Sequence, residues 1–170
     1  MAEEIRQTEV LTDEEKQRLF GWGENILGVA ALKLSWRPKD LHFVLYSDGE
    51  PVSHVGVLKH VVSVNGEPAT VGGVGGVVTV PEAQKKGFAR QLMRHAAKLL
   101  EQEWKMDAGL LFCLPKLLAY YEALGWQEVE TSVLIEQPSG TIVSPVPVMV
   151  LPLGEAGWSS GSIELRGLPW

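Results

Sequence analysis

The sequence predicts an α/β (α+β) fold in which a mixed, mostly antiparallel, twisted sheet, splayed at its centre, carries helices on both faces. Three observations lead there. β-Branched runs alternate with turn dipeptides from Leu41 to Val80, the apolar period lengthens to that of a helix after Gly87, and an apolar strand followed by a second helix occupies 108–125.

Taken in order, Thr12 with Glu15 three residues later has the form of a capping box, and Leu19 and Phe20 begin an apolar face, so the first helix starts there. From Leu41 the pattern is extended: LHFVLY, a turn at Asp48-Gly49, PVSHVGVLKHVVSV, a turn at Asn65-Gly66, and ATVGGVGGVVTV. These are three antiparallel strands, and Gly72, Gly73, Gly75 and Gly76 mark a bulge that splays the third. Beyond Gly87, Ala89, Leu92, Met93, Ala96, Leu99 and Leu100 share one face, with Arg90, Arg94, Lys98 and Glu101 opposite. That spacing is an amphipathic helix laid on the sheet. AGLLFCL is a short buried strand, Pro115 suits a first helical position, and Gly125 closes the helix KLLAYYEAL. EVETSVLIEQ and TIVSPVPVMVLPL are extended, Pro145 and Pro147 making the latter an edge or irregular strand, and SIELRGLPW completes the chain.

A length of 170 residues suits a single domain over 1–170 with a core that needs neither disulfide nor metal. With 45% hydrophobic and 21% charged residues the composition is that of an ordinary globular protein, and no apolar run approaches the roughly 20 residues of a membrane span. No membrane association is expected. MAEEIRQTEV lacks the basic start and apolar centre of a secretory signal, so a cytoplasmic location is expected. Cys113 is the sole cysteine, which excludes an intrachain disulfide and a cysteine-rich zinc site; it reads as a buried small hydrophobe, and no metal is expected. A formal charge of −6 argues against nucleic acid as a partner. A homodimer stays open.

The segment from Val77 to His95 carries the chemistry. A β-branched strand, Val77-Val78-Thr79-Val80, stops at Pro81, passes Gln84, Lys85, Lys86 and Gly87, and opens into a helix at Phe88, Ala89 and Arg90. Free amides and the dipole at a helix start attract anions, a glycine lets backbone approach closely, and Lys85, Lys86 and Arg90 add positive charge suited to a pyrophosphate.

Gln84-Lys85-Lys86-Gly87-Phe88-Ala89 resembles the Q/R-x-x-G-x-G/A signature of the GNAT superfamily of N-acetyltransferases, and Ala119 through Trp126, AYYEALGW, resembles that superfamily's FYEKLGF helix. The resemblance covers Leu41 to about Leu153. It implies a GNAT-like fold and acetyl-CoA as acyl donor, with pyrophosphate on the amides of 85–90 and pantetheine along Val77 to Val80. It also implies Tyr121 as the acid that protonates the departing sulfur. A narrower resemblance, to aminoglycoside 2'-N-acetyltransferases, rests on Pro51-Val52-Ser53-His54-Val55-Gly56-Val57, the glycine-rich strand, the Trp126 segment and the terminal Arg-Gly-Leu-Pro-Trp. That group places a carboxylate near the acceptor amine at the position of Gly75, where this chain has none, and small polar residues where it has Phe112, Leu114 and Pro115.

Acetyl transfer to an amine requires a neutral nucleophile, a stabilised oxyanion and a proton for the thiolate. The backbone N–H of Val77, or of Val78, is the candidate oxyanion donor. Gly75, Gly76, Phe112 and Trp170, with Arg166 nearby, are candidates for the acceptor pocket. The base has no single candidate: His54 reads as a satisfied core histidine, Glu82 as a solvated carboxylate, and water or the Trp170 carboxylate stays open. The leading function is acetylation of a primary amine on a small molecule, aminoglycoside-like or polyamine-like. Protein or peptide N-acetylation is second, and an acetyl-CoA-binding sensor or partner-binding module with little turnover is third. The absent carboxylate at Gly75 favours the last, and Tyr121 favours an enzyme.

Overall fold

A computed structural model describes residues 2–155 and 157–170. β1 (Glu3–Thr8) pairs antiparallel with the edge of the sheet and was not expected, because EEIRQT holds a single apolar side chain, Ile5. α1 (Asp13–Phe20) starts as predicted: Glu15 N–H donates to Thr12 Oγ1 at 3.0 Å and Thr12 N–H donates to Glu15 Oε1 at 2.9 Å. The Glu15 carboxylate is fully buried and also accepts from Arg6 and from the Tyr46 hydroxyl at 2.7 Å, tying the helix to β1 and the next strand. These hydrogen bonds, Arg6 first, hold its carboxyl at about 2 against the desolvation that opposes them.

β2 (Leu41–Ser47), β3 (Glu50–Val64) and β4 (Glu67–Thr79) form the expected antiparallel ladder. Asp48, Gly49, Asn65 and Gly66 all have positive φ, the backbone that a two-residue hairpin requires. α2 (Phe88–Lys98) follows and ends in one π-helical turn, Leu99–Glu103. Leu92, Met93, Ala96, Leu99 and Leu100 are buried as the periodicity predicts, whereas Ala89 is only half-buried. α1 and α2 take opposite faces of the sheet: Phe20 of α1 meets His54 edge-on at 5.1 Å, and His95 of α2 meets Phe43 at 4.9 Å.

β5 (Ala108–Phe112) joins β4 in parallel from Val71↔Ala108 to Val74↔Leu111. A short 3-10 turn at Pro115–Leu117 leads into α3 (Leu118–Glu122), and Gly125 turns the chain away at φ 98°. EVETSVLIEQ divides into β6 (Gln127–Glu128) and β7 (Val133–Gln137), and the proline-bearing segment divides into β8 (Gly140–Val143) and β9 (Val148–Pro152). Pro145 and Pro147 sit in the break, where no ladder N–H is needed. β8 is therefore the edge strand, while β9 lies inside the sheet between β6 and β5, contrary to the edge placement expected for the whole segment. β10 (Ile163–Glu164) completes the order β6-β9-β5-β4-β3-β10-β7-β8, with β2 and β1 continuing from the other half of β3.

The sheet splays where β4 outruns β5. Pairing with β5 stops at Val74, five residues before β4 ends at Thr79. On the other side the register with β3 shifts between His54 and Gly56, so Gly76 and Val77 together face Val55. Of the four glycines only Gly76, at φ 60°, belongs to this bulge, and Gly75 is the last paired residue before it, opposite Gly56. Gly72 and Gly73 lie in regular ladder instead, a correction to the expectation that all four glycines mark the bend. Their lack of a side chain serves packing: Leu100 occupies the space of a Cβ on Gly72, and the Trp170 indole that on Gly73.

Candidate active site

Two clefts meet at the splay. The larger, about 730 Å³, is bounded by Val77, Val78 and Thr79 of β4, by the loop from Ala83 to Gly87, by Phe88, Ala89 and Arg90 of α2, and by Leu117, Tyr120 and Tyr121. Its loop is shaped for an anion. Lys85 and Gly87 have φ 66° and 83°, and among the described residues no protein acceptor takes an N–H of 85–90. Alternating left-handed residues point successive amides into one concavity, and the first amides of a helix have no intrahelical partner. Gln84 braces the loop, its Nε2 donating to Thr79 O at 3.1 Å.

Two expected members are not in this cleft. Lys86 is exposed and does not line the cleft, and Val80 is buried in the core with its N–H donated to Val52 O at 2.9 Å. Val80 is thus unable to offer that N–H to a ligand. Glu82 is exposed and ion-paired with Arg18 at 2.7 Å, in keeping with the solvated carboxylate expected.

The second cleft, about 300 Å³, brings together Gly75, Gly76, Phe112 and Trp170, all four residues expected to contact an acceptor, with Leu27, Trp36, Lys39 and Leu114. Trp170 is buried, its Nε1 donates to Leu110 O at 3.0 Å, and its ring meets Phe112 edge-on at 5.5 Å. Arg166 stays outside, exposed and near Glu164. Lys39, Trp36 and Leu27 carry no sequence signal, since SWRPKDLHF and ENILGV match no periodic or motif pattern. Burial and then the neighbouring Arg37 charge push the Lys39 amine down to about 8.

Val77, Leu117 and Tyr121 line both clefts. Tyr121 is 5% exposed, and desolvation, with smaller contributions from Tyr120 and Cys113, raises its pKa well above the ordinary phenol value. Adjacent Tyr120, its ring edge-on to Tyr121 at 5.1 Å, lines the larger cleft alone. Cys113 is a buried thiol pushed up to about 11 by burial, an inert wall residue.

Behind the bulge, His54 is buried and bonded at both ring nitrogens: Nδ1 lies 2.6 Å from Gly76 O, and Nε2 lies 2.8 Å from His42 Nδ1. A carbonyl only accepts, so His54 donates from Nδ1 and accepts from His42. Burial pushes its pKa down to about 4, so it stays neutral. This is the satisfied core histidine expected, with the added feature that it fixes the carbonyl of the bulge glycine.

The family model of the acetyltransferase (GNAT) domain matches residues 28–129. The chain belongs to the GNAT acetyltransferase family. It is similar in fold to a GNAT family acetyltransferase from Brucella melitensis solved with acetyl-CoA, at 16% identity and TM-score 0.58, covering 95% of this chain and 94% of that one. It is likewise similar to the GNAT family N-acetyltransferase YhbS from Escherichia coli solved with CoA, at 18% identity and TM-score 0.61, covering 96% and 89%. An acyl-CoA N-acyltransferase from Pseudomonas aeruginosa gives 18% identity and TM-score 0.58 over 88% and 99%. A search of curated proteins found no match.

Proposed function

We propose that residues 1–170 act as a single acetyltransferase domain that transfers the acetyl group of acetyl-CoA to a primary amine of a small molecule by direct attack. The observation that carries this reading is the junction of the two clefts at Val77 and Tyr121, one built for an anionic carrier and the other small and largely apolar. The residues fit the co-substrate: unpartnered amides at 85–90 with Lys85 and Arg90 suit its pyrophosphate, and the β4 edge beyond Val74 suits its amide-bearing arm. Acetyl-CoA supplies an activated acyl group as a thioester.

In the reaction a nitrogen–carbon bond forms as the carbon–sulfur bond breaks, the amine loses a proton and the thiolate gains one. This chain's part is to aim the Val77 N–H at the developing oxyanion and to hold a protonated phenol at Tyr121. A raised pKa keeps that phenol protonated at all physiological pH values, as an acid must be. No Asp or Glu side chain lines the acceptor cleft among the described residues, which leaves water or the Trp170 carboxylate, whose carbon lies 3.3 Å from the place of a Cβ on Gly75, to take the amine's proton.

The small size of the acceptor cleft, about 300 Å³, favours a small molecule over a folded protein. The absence of an acidic side chain there among the described residues is the one observation that favours a binding module with little turnover. A screen with acetyl-CoA against amines, amino acids, peptides and aminoglycosides, read by product mass, tests the reading. Saturable acetylation of a small amine supports it. Acetylation of peptides alone would move the activity to protein substrates, and binding of acetyl-CoA with no acceptor at all would leave the binding module.

A further inference from the structure

The acceptor cleft contains a lysine with no acidic side chain beside it, the Trp170 carboxyl carbon lying 3.3 Å from the place of a Cβ on Gly75. Among the described residues that line it, Lys39 is the only cationic side chain, and neither Asp nor Glu is present. The backbone on both sides of Lys39 is tied down, Arg37 N–H donating to Pro169 O at 2.7 Å and Asp40 N–H to Val57 O at 2.9 Å. The side chain is thereby turned inward over two glycines. A Cβ on Gly56 would collide with Lys39 Cγ, and one on Gly75 would lie 2.7 Å from its Cε and 3.3 Å from its Nζ. Gly56 and Gly75, paired across β3 and β4, clear the path along which the lysine reaches the cleft.

The nearest acid in sequence is committed elsewhere. Asp40 Oδ2 accepts from Lys59 N–H at 3.1 Å and faces Arg37 Nη2 at 3.5 Å. The ion pairs among the described residues involve Arg6, Arg18, Arg37 and Arg166, and none involves Lys39. A desolvated ammonium with no ion-pair partner within 4 Å is costly, and burial has already weakened its hold on the proton, yet a pKa of about 8 leaves it mostly charged at pH 7. A ligand carboxylate would remove that cost through a charge-assisted hydrogen bond. The cleft, about 300 Å³, has room for a ligand the size of an aromatic α-amino acid.

We infer that the acceptor is an amine bearing both a carboxylate and an apolar or aromatic group, an apolar α-amino acid or close analogue. Lys39 pairs with its carboxylate, and Trp36, Phe112 and Trp170 enclose its side chain. The inference rests on the acetyltransferase reading above. It also reverses the acceptor class suggested by the sequence, because polyamines and aminoglycosides would bring further positive charge against Lys39 in an apolar cavity.

The test is calorimetry on the CoA-loaded protein with two products that differ by the carboxylate alone, N-acetylphenylalanine and N-acetylphenethylamine. Neither contains a reactive amine, so the readout is independent of turnover. The acid is expected to bind wild type about ten-fold or more tighter than its decarboxylated analogue. Lys39→Met keeps the stem over Gly56 and is expected to abolish the difference; Lys39→Arg is expected to keep part of it. Equal affinity of wild type for the two ligands, or a preference that survives in Lys39→Met, overturns the assignment. A preference for the acid in a protein that acetylates no amine would sink the acetyltransferase reading and leave the carboxylate site standing. Turnover of amines with no such preference would do the reverse.

Discussion

Replacing Tyr121 by Phe separates catalysis from folding in this molecule. The phenol is buried, but its hydroxyl makes no hydrogen bond to the protein among the described residues and opens at the junction of the two clefts. Its removal therefore leaves no orphaned partner and keeps the ring's contacts, so stability should change by less than about 0.5 kcal/mol. If the hydroxyl protonates the departing thiolate, its loss should cost about 10²–10⁴ in rate, or roughly 3–5 kcal/mol of transition-state stabilisation. kcat and kcat/KM should fall together, with acetyl-CoA affinity by calorimetry little changed. CoA release can be followed with a thiol reagent, because the single cysteine, Cys113, is buried and its pKa raised to about 11, which keeps background reaction low. Tyr120→Phe is the matched control, since its hydroxyl belongs to the larger cleft alone. Full activity in Tyr121→Phe would refute the assignment. Loss in Tyr120→Phe instead would shift the role by one residue, and full activity in both would transfer protonation to water.

Gly87→Glu should abolish acetyl-CoA binding by calorimetry, since it sets a carboxylate in the amide concavity and forces a side chain onto φ 83°, and wild-type binding should weaken as salt rises. Glu15 is a stability prediction: its folded pKa, about 2, lies below the ordinary 4.5, so its contribution is present above pH 4.5 and lost as pH falls toward 2. Glu15→Gln should lower urea-unfolding stability at pH 7 by about 2–3 kcal/mol and flatten that acid limb. His54→Leu should cost about 1–3 kcal/mol in the same assay by leaving the Gly76 carbonyl and His42 unpartnered, and should lower kcat more than it changes the KM for acetyl-CoA. Binding of N-acetylphenylalanine should weaken as pH rises through about 8, where Lys39 loses its charge; Cys113, near 11, and Tyr121, higher still, do not titrate there, and burial lowers the nearby His42 and His54 away from that range. A flat profile from pH 6 to 9 would count against Lys39 as the carboxylate's partner.

What the sequence determined by itself was whatever adjacent residues specify among themselves. The Thr12–Glu15 cap, the Asp48-Gly49 and Asn65-Gly66 turns, the helical face from Leu92 to Leu100 and the strand-loop-helix order around Gly87 rest on interactions within a few residues. The loop from Gln84 to Gly87 belongs to this class, because a helix start and a left-handed glycine are local. Tertiary structure decided the rest, for reasons that lie far along the chain. β1 is polar enough to look like a tail and becomes a strand because β2 offers it an edge and Arg6 finds the buried Glu15. Gly72 and Gly73 share one motif with Gly75 and Gly76, yet Leu100 and Trp170, brought in from distant segments, turn the first two into packing sites. Lys39 was unremarkable in SWRPKDLHF. Its place in the smaller cleft depends on Pro169 and Val57 holding its neighbours and on Gly56 and Gly75 standing aside, and backbone bonds between such distant segments leave no periodicity for a sequence to display.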